Sequence, residues 1–455
     1  DPNNSTTSLL YENTGKPAEP TKVIDPLNNT TTMTYDAIGR LWTVIDAKGK
    51  TTTYTYDFMD RITEVKDPLG FVTRYGYSWD GKLTVVSDAK NQSIRYNYNS
   101  RGRLSKMTDQ LGRVESYEYD TSGNLISMTD RKVQITTYIY DLMNRITRAD
   151  YAEGSYTTYA YDTLGRLTTI TDLVSGTISY TYTGTGCGTG CSSVPDKIAS
   201  EATPLGSISY TYDAIGRRTS MTVLGQSPVN YSYDANSRLT GINTMINNVA
   251  SGFSLSYDDA GRRTSLTMPN GVTTNYNYDN ASRLLEMKHL NSLSQILEQV
   301  NYTYDPNGNR TSMNRPSVTL PLPNPASNTS YNQANQMLSF NDKNITYDNN
   351  GNMASVTNTC GTTNYTWNVR NRLVGISGFN TDCSSLTASF KYDALGRRME
   401  KTINGVTTQY VYDGMDIIQE KQNGMVAANY IRTLNIDEPL ARIKSDGTIR
   451  FYKID

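Results

Sequence analysis

The sequence predicts an all-β protein, a long antiparallel β-meander of Tyr-Asp repeats about 21 residues long, coiled into a spiral hollow shell. Three observations lead there: a Tyr-Asp pair that recurs at fixed spacing, strand-like alternation around each pair, and turn-forming residues twice per repeat. The tyrosines Tyr35, Tyr56, Tyr77, Tyr98, Tyr119, Tyr140, Tyr161 and Tyr182 follow one another at 21 residues without insertion. The beat then loosens through Tyr212, Tyr233, Tyr257, Tyr278, Tyr304, Tyr331, Tyr347, Trp367, Tyr392 and Tyr412, with steps of 16 to 30 residues. Such a period marks an array in which no unit buries its apolar face alone.

Within a unit the pattern is Tyr-x-Tyr-Asp, two variable residues, a small residue, Arg, then Leu or Ile, as in Tyr54 to Ile62. Tyrosines two apart share one side of an extended strand while Thr53, Thr55 and Asp57 take the other. The fourth position after the key tyrosine is Gly39, Gly102 or Gly165, followed by Arg40, Arg103 or Arg166; elsewhere it is Asp60, Asn144, Asn371, Ser237 or Ser282. Gly, Asn and Asp tolerate the left-handed backbone that a short hairpin loop demands, and serine fits less well. A second punctuation, Asp67-Pro-Leu-Gly70 or Asp46-Ala-Lys-Gly49, has the chemistry of a type I turn. Each repeat is then two short strands and two tight turns. Thr, Tyr, Val and Ile crowd the strands, and no stretch sustains helical periodicity.

Regularity divides the chain. Residues 1–183 form the regular array, 184–200 a Gly/Cys loop insertion, 201–313 less regular repeats, 314–330 a proline-rich connector, and 331–455 further repeats. A formal net charge of -1 with interspersed signs offers no basic face for nucleic acid and no polybasic membrane patch. No apolar run approaches the roughly 20 residues of a spanning helix. Asp1 opens inside an Asp-Pro-Asn-Asn turn, which reads as a boundary within something longer.

Tyr-x-Tyr-Asp-x-x-Gly-Arg-Leu followed by Asp-Pro-Leu-Gly, in eighteen near-periodic copies, resembles the Rhs or YD-repeat family. That family includes bacterial polymorphic toxins, cocoon subunits of Tc toxin complexes, wall-associated proteins and teneurins. The resemblance implies a spiral strip closing into a shell, often around a toxic C-terminal domain. Asn435 to Arg442 and Tyr452 to Asp455 look like the approach to the family's core region, whose self-cleavage motif this sequence does not contain.

Catalytic chemistry finds little support, and no catalytic, cofactor or metal residue is expected. The only histidine, His289, reads as an exposed strand or loop residue. Asp437 and Glu438 are neighbours in a turn before Pro439, whereas paired carboxylate catalysis needs both groups on one face. Asp305-Pro-Asn-Gly-Asn309 and Asp348-Asn-Asn-Gly-Asn352 resemble the start of a calcium loop, but glycine falls fourth and no glutamate stands twelfth. Turn chemistry explains them. Zinc is disfavoured at the four cysteines, since no histidine or second C-x-x-C joins either pair. Cys360 and Cys383 fall in loops on one edge, one repeat apart, and are expected to bond; Cys187 and Cys191 are a second candidate pair.

A strip of about thirty-six strands at about 4.8 Å each would run some 170 Å, and twisted sheets of that size curl. The expectation is therefore a wall segment of a secreted or surface-displayed bacterial shell that encloses or displays a C-terminal, toxin-like cargo. The alternative is an adhesive or filament-forming surface protein binding glycans or neighbouring copies through its aromatic residues, although tyrosines repeated at one position also form an ordinary cross-strand ladder.

Overall fold

The computed structural model describes residues 3–12, 18–184, 196–316 and 325–452. Among them there is no helix, and consecutive strands pair antiparallel. One period reads as a six-residue strand, Thr51–Tyr56, a five-residue turn, a five-residue strand, Ile62–Lys66, and a second five-residue turn.

Both turns are the same device, although the sequence suggests two kinds. Asp57 Oδ1 accepts from the backbone N–H of Met59 and Arg61, and Asp67 Oδ1 accepts in the same way from Leu69 and Phe71. At each turn the fourth residue is left-handed: Gly39 at φ 98°, Gly102 at 77°, Gly165 at 85°, and Gly70 at 89°. Ser237 and Ser282 adopt it too, at 63° and 62°. The surrounding hydrogen bonds therefore hold serine in a conformation it does not itself favour. Only the Tyr-Asp turn carries a bulge, with Thr55 opposite Glu64 but Tyr56 opposite Ile62.

The chain divides into two compact units, one of Asp1–Gly112 with Ser254–Pro323, the other of Arg113–Phe253 with Asn324–Ile454. Each holds an earlier and a later run of strip. In the first unit the earlier run leaves every described residue before Asp109 short of full burial. Its later run buries a stripe of Met287, Val300 and Tyr302, with Tyr276, Leu284 and Tyr304 packed against it. The second unit is richer: Ile170, Ile178, Ile208, Ile242, Val411, Leu440 and Ala441 are all buried.

His289 departs from expectation. It lies within the strand Leu284–Leu290, is 1% exposed, and its Nδ1 is 2.9 Å from Thr274 Oγ1. It sits among the buried positions of an alternating strand, between Lys288 and Leu290, so the period of the strand decides its burial and its polarity does not.

Candidate functional site: the turn edges

The Tyr-Asp edge of each run carries a ladder linking hairpin to hairpin. Asp36 receives the backbone N–H of Arg40 at 2.9 Å and its Nε at 2.7 Å. Arg40 then reaches the next hairpin, donating from Nη1 to the Asp57 carbonyl at 3.0 Å and lying 4.7 Å over the Tyr56 ring. The Tyr56 hydroxyl closes the link by donating to the Leu41 carbonyl at 2.8 Å. Arg61 over Tyr77, Arg145 over Tyr161 and Arg166 over Tyr182 repeat the stack at 4.5 to 4.6 Å. Tyr35, Tyr140 and Tyr161 donate to Pro20, Leu125 and Ile146. Tyr119 occupies the same place at the end of Val114–Tyr119, and Arg103 follows Gly102 with its N–H on Asn99 Oδ1. Each stack adds about 0.5–1 kcal/mol.

This ladder differs from a plain cross-strand tyrosine pairing, because arginine alternates with tyrosine and the hydroxyls are spent on backbone carbonyls. Sequence reasoning singled out these arginines but missed their reach. The signal available was the spacing, since Arg40 and Tyr56 recur together in every full repeat. The hydrogen bond from Arg61 holds the Asp57 carboxyl below its usual range, and burial pushes the Tyr56, Tyr140 and Tyr161 hydroxyls up.

A second site is the seam between runs within each unit. In both units the Tyr-Asp edge of the later run meets the opposite edge of the earlier one. In the first unit Lys48 donates to Asp305 at 3.0 Å, and Asn307 to Asp46 at 2.7 Å. Partial burial pushes the Asp305 carboxyl up, but the hydrogen bonds from Lys48 and Asn309 outweigh it and hold the group at about 2. In the second unit Asn350 donates to Asp130 at 2.7 Å, Arg370 to Asp172 at 2.6 Å, and Arg397 to Glu201 at 2.6 Å. Arg397 is buried with Glu201 and its own turn partner Asp393. Burial pushes the Glu201 carboxyl up despite Arg397, whereas at Asp172 the Arg370 hydrogen bond outweighs burial and lowers it. Asp413 receives both the Tyr210 hydroxyl at 2.9 Å and Arg218. None of these seam residues was singled out by sequence, because the seam joins positions about 200 residues apart.

Cys360 and Cys383 are joined by a disulfide, Cα to Cα 5.0 Å, across two turns on the edge opposite Tyr-Asp. Cys187 and Cys191 lie outside the described residues. Asp305 and Asp348 each cap their own turn. Glu438 closes the turn after Thr433 by accepting from Thr433 and Asn435. Among the described residues no group of three His, Cys, Asp or Glu side chains is placed to hold a metal ion. No described helix is long and apolar enough to cross a membrane. Chemically, the edges are built to bind one strip to another.

An all-β array whose Tyr-Asp turns are tied by arginine defines a YD-repeat protein. Residues 35–72, 98–132 and 119–156 match the RHS Repeat family model, and residues 271–420 match the Teneurin YD-shell model. The chain belongs to the Rhs/YD-repeat family. It is 38% identical over 119 residues to the tRNA nuclease WapA of Bacillus subtilis (strain 168), a match covering 25% of this chain and 4% of that protein. Two solved structures share the fold: the TcdB2-TccC3-Cdc42 crystal structure, at TM-score 0.58, and the Photorhabdus luminescens Tc holotoxin pore, at 0.56. Each is 15% identical and matches over 98% of this chain. The chain spans about a third of the length of those chains and a small fraction of the WapA relative.

Proposed function

We propose that this chain is a wall segment of a secreted or cell-surface YD-repeat shell that encloses or displays a C-terminal cargo. The observation that carries the reading is the seam. In each unit the strip returns to itself edge against edge, through paired charges and amides, and this is how a strip becomes a wall. Its fold likeness to the Tc toxin structures supports the same reading, and the extracellular placement rests on that likeness. Every described residue with a distinctive environment has a structural task, so the wall role needs no catalytic group of its own.

Small-angle scattering tests the reading. A solid body of 455 residues has a radius of gyration of about 22 Å. A hollow wall is expected to exceed that clearly and to show a central density minimum by electron microscopy. A radius near the compact value, with a filled interior, overturns the wall reading. The adhesive alternative draws on one observation, the full exposure of Phe58 and Trp79 on adjacent Tyr-Asp turns.

A further inference from the structure

The seam is head-to-tail: one Tyr-Asp edge against one opposite edge. Each unit therefore uses one edge of each kind and leaves another of each kind open. In the first unit the open Tyr-Asp edge belongs to the earlier run, and its turns differ from the later run's in one respect. Where the later run carries Asp259-Ala260, Asn280-Ala281 and Pro306-Asn307 after the turn aspartate, the earlier run carries Ala37-Ile38, Phe58-Met59 and Trp79-Asp80. Small and polar residues stand where the edge meets its own chain, as Asn307 does on Asp46. Large apolar ones stand where nothing in the unit meets it, with Phe58 93% and Trp79 91% exposed and Ile38 and Met59 exposed beside them.

The open opposite edge of the same unit lies on the later run. There Leu293 and Ile296 flank the turn after Asn291 and are themselves exposed, with Leu297 next to them. Two aromatic rings offer roughly 300–500 Å², a large share of the about 800 Å² that each partner buries in a standard interface. Exposed patches of this kind mark interaction sites.

We infer that the Phe58 and Trp79 edge binds the Leu293 and Ile296 edge of a second copy of this chain, continuing the head-to-tail seam from molecule to molecule. The occupant follows from continuity with the seam already present: the edge classes are the same pair, and both open edges are apolar. A contact between unlike edges does not close on itself, so it generates open-ended assemblies. The inference takes up the self-associating side of the adhesive reading and is separate from enclosure of cargo.

Sedimentation velocity between about 1 and 100 μM tests it with three forms of the full chain. The native chain is expected to grow past dimer with concentration. Phe58→Ser with Trp79→Ser places at each site the residue that Ser100 supplies at the same turn position. Leu293→Lys with Ile296→Thr copies Lys48 and Thr51 of an earlier repeat. These changes keep turn chemistry, and unchanged circular dichroism and melting confirm folding. Each variant alone is expected to be monomeric, with association weakened at least tenfold, while an equimolar mixture of the two forms a dimer and nothing larger. Cross-linking of the native chain supplies a check without mutation, with an intermolecular Lys82 to Lys288 link expected. A native chain that stays monomeric throughout, a mixture that fails to pair, or monomeric binding of glycans through Phe58 and Trp79 would overturn the inference. A monomer of large radius would do so while leaving the wall reading intact.

Discussion

The earliest repeats and the repeats around the second unit's seam have the same local architecture but are held in opposite ways. Between Thr30 and Thr108 the period is perfect, every turn carries its Asp and its left-handed residue, and no described side chain is fully buried. From Ile198 to Ile246, and again from Ser385 to Lys444, the spacing wanders, yet Ile208, Met221, Ile242, Val411, Ile418 and Leu440 are buried. The first region depends on the repeated Asp-Arg-Tyr ladder, whose links are each small. The second depends on packing, where each buried aliphatic side chain contributes about 1.5–3 kcal/mol. A perfect repeat therefore marks where stability is local, and drift marks where side chains have been fitted to a neighbouring run.

The sharpest way to break this comparison is to remove one arginine from each region. Arg397→Ala leaves Glu201 and Asp393 buried without their cation, and a broken buried network of this kind costs about 3–5 kcal/mol. Arg40→Ala, which removes partly exposed links and one stack, should cost about 1 kcal/mol or less. Urea unfolding gives the two values, and hydrogen exchange shows where protection is lost. The loss should reach both Ile198–Thr203 and Ser385–Tyr392 for Arg397→Ala, and stay at the turns near Asp36 and Asp57 for Arg40→Ala. Equal costs would mean that burial and ladder are not distinct sources of stability.

The disulfide comes next. Cys360 and Cys383 enclose about one repeat, and loop closure over that length is worth about 3 kcal/mol. Alkylation followed by intact-mass measurement should leave both cysteines unlabelled until reductant is added, and Cys360→Ser should lower the urea midpoint accordingly. Free labelling of Cys360 and Cys383 in unreduced protein would remove the clip from the account. Smaller again is the strain of a β-branched residue in a left-handed turn, about 1–3 kcal/mol for Gly102→Val or Gly165→Val. Here the comparison sharpens. Gly102→Val should open one or two hairpins, whereas Gly165→Val, beside the strand that carries buried Ile170, should spread its loss through the packed neighbours. Uniform loss across all repeats from Gly102→Val would contradict nearest-neighbour stabilisation.

The strands and turns were legible because their causes are local. Tyr-x-Tyr alternation fixes which residues share a face, and Asp with a left-handed fourth residue closes a hairpin wherever it falls. Even Ser237 obeys, because the turn is held by Asp234 accepting from Asn236 and Arg238 regardless of the fourth side chain. What lay beyond the sequence were relations between runs. Nothing in Glu201-Ala-Thr signals that Glu201 meets Arg397, since a strand glutamate in a repeat protein usually faces water and its partner is 196 residues away. His289 escaped for a related reason: its polarity suggested exposure, while its place in the alternation of Leu284–Leu290 put it inward. Composition likewise pointed to aromatic residues as a ladder, yet Phe58 and Trp79 belong to the turn tips and not to the ladder.

The finest test separates the two seams by acid. Asp305 is held at about 2, below its ordinary value of 3.8, so its contribution to the first unit's seam is present above that ordinary value and is lost as pH falls through about 2. Glu201 behaves in the opposite sense. Burial raises its value, so the stability linked to its protonation is fully present below the ordinary glutamate value of 4.5 and declines as pH rises through the raised one. Acidification from pH 5 to pH 2 should therefore loosen the contact of Lys48 with Asp305, while Glu201 gains nothing from staying ionised. Hydrogen exchange corrected for intrinsic rates should show protection falling at Asp46 to Lys50 over that window. Asp305→Asn keeps the turn, because Asn99 and Asn368 cap equivalent turns, but removes the titrating charge. In that variant protection at Asp46 to Lys50 should start lower and no longer change with pH. If it still falls on acidification, the pH response belongs to another carboxylate, and the thin seam of the first unit is held by something other than its one charged pair.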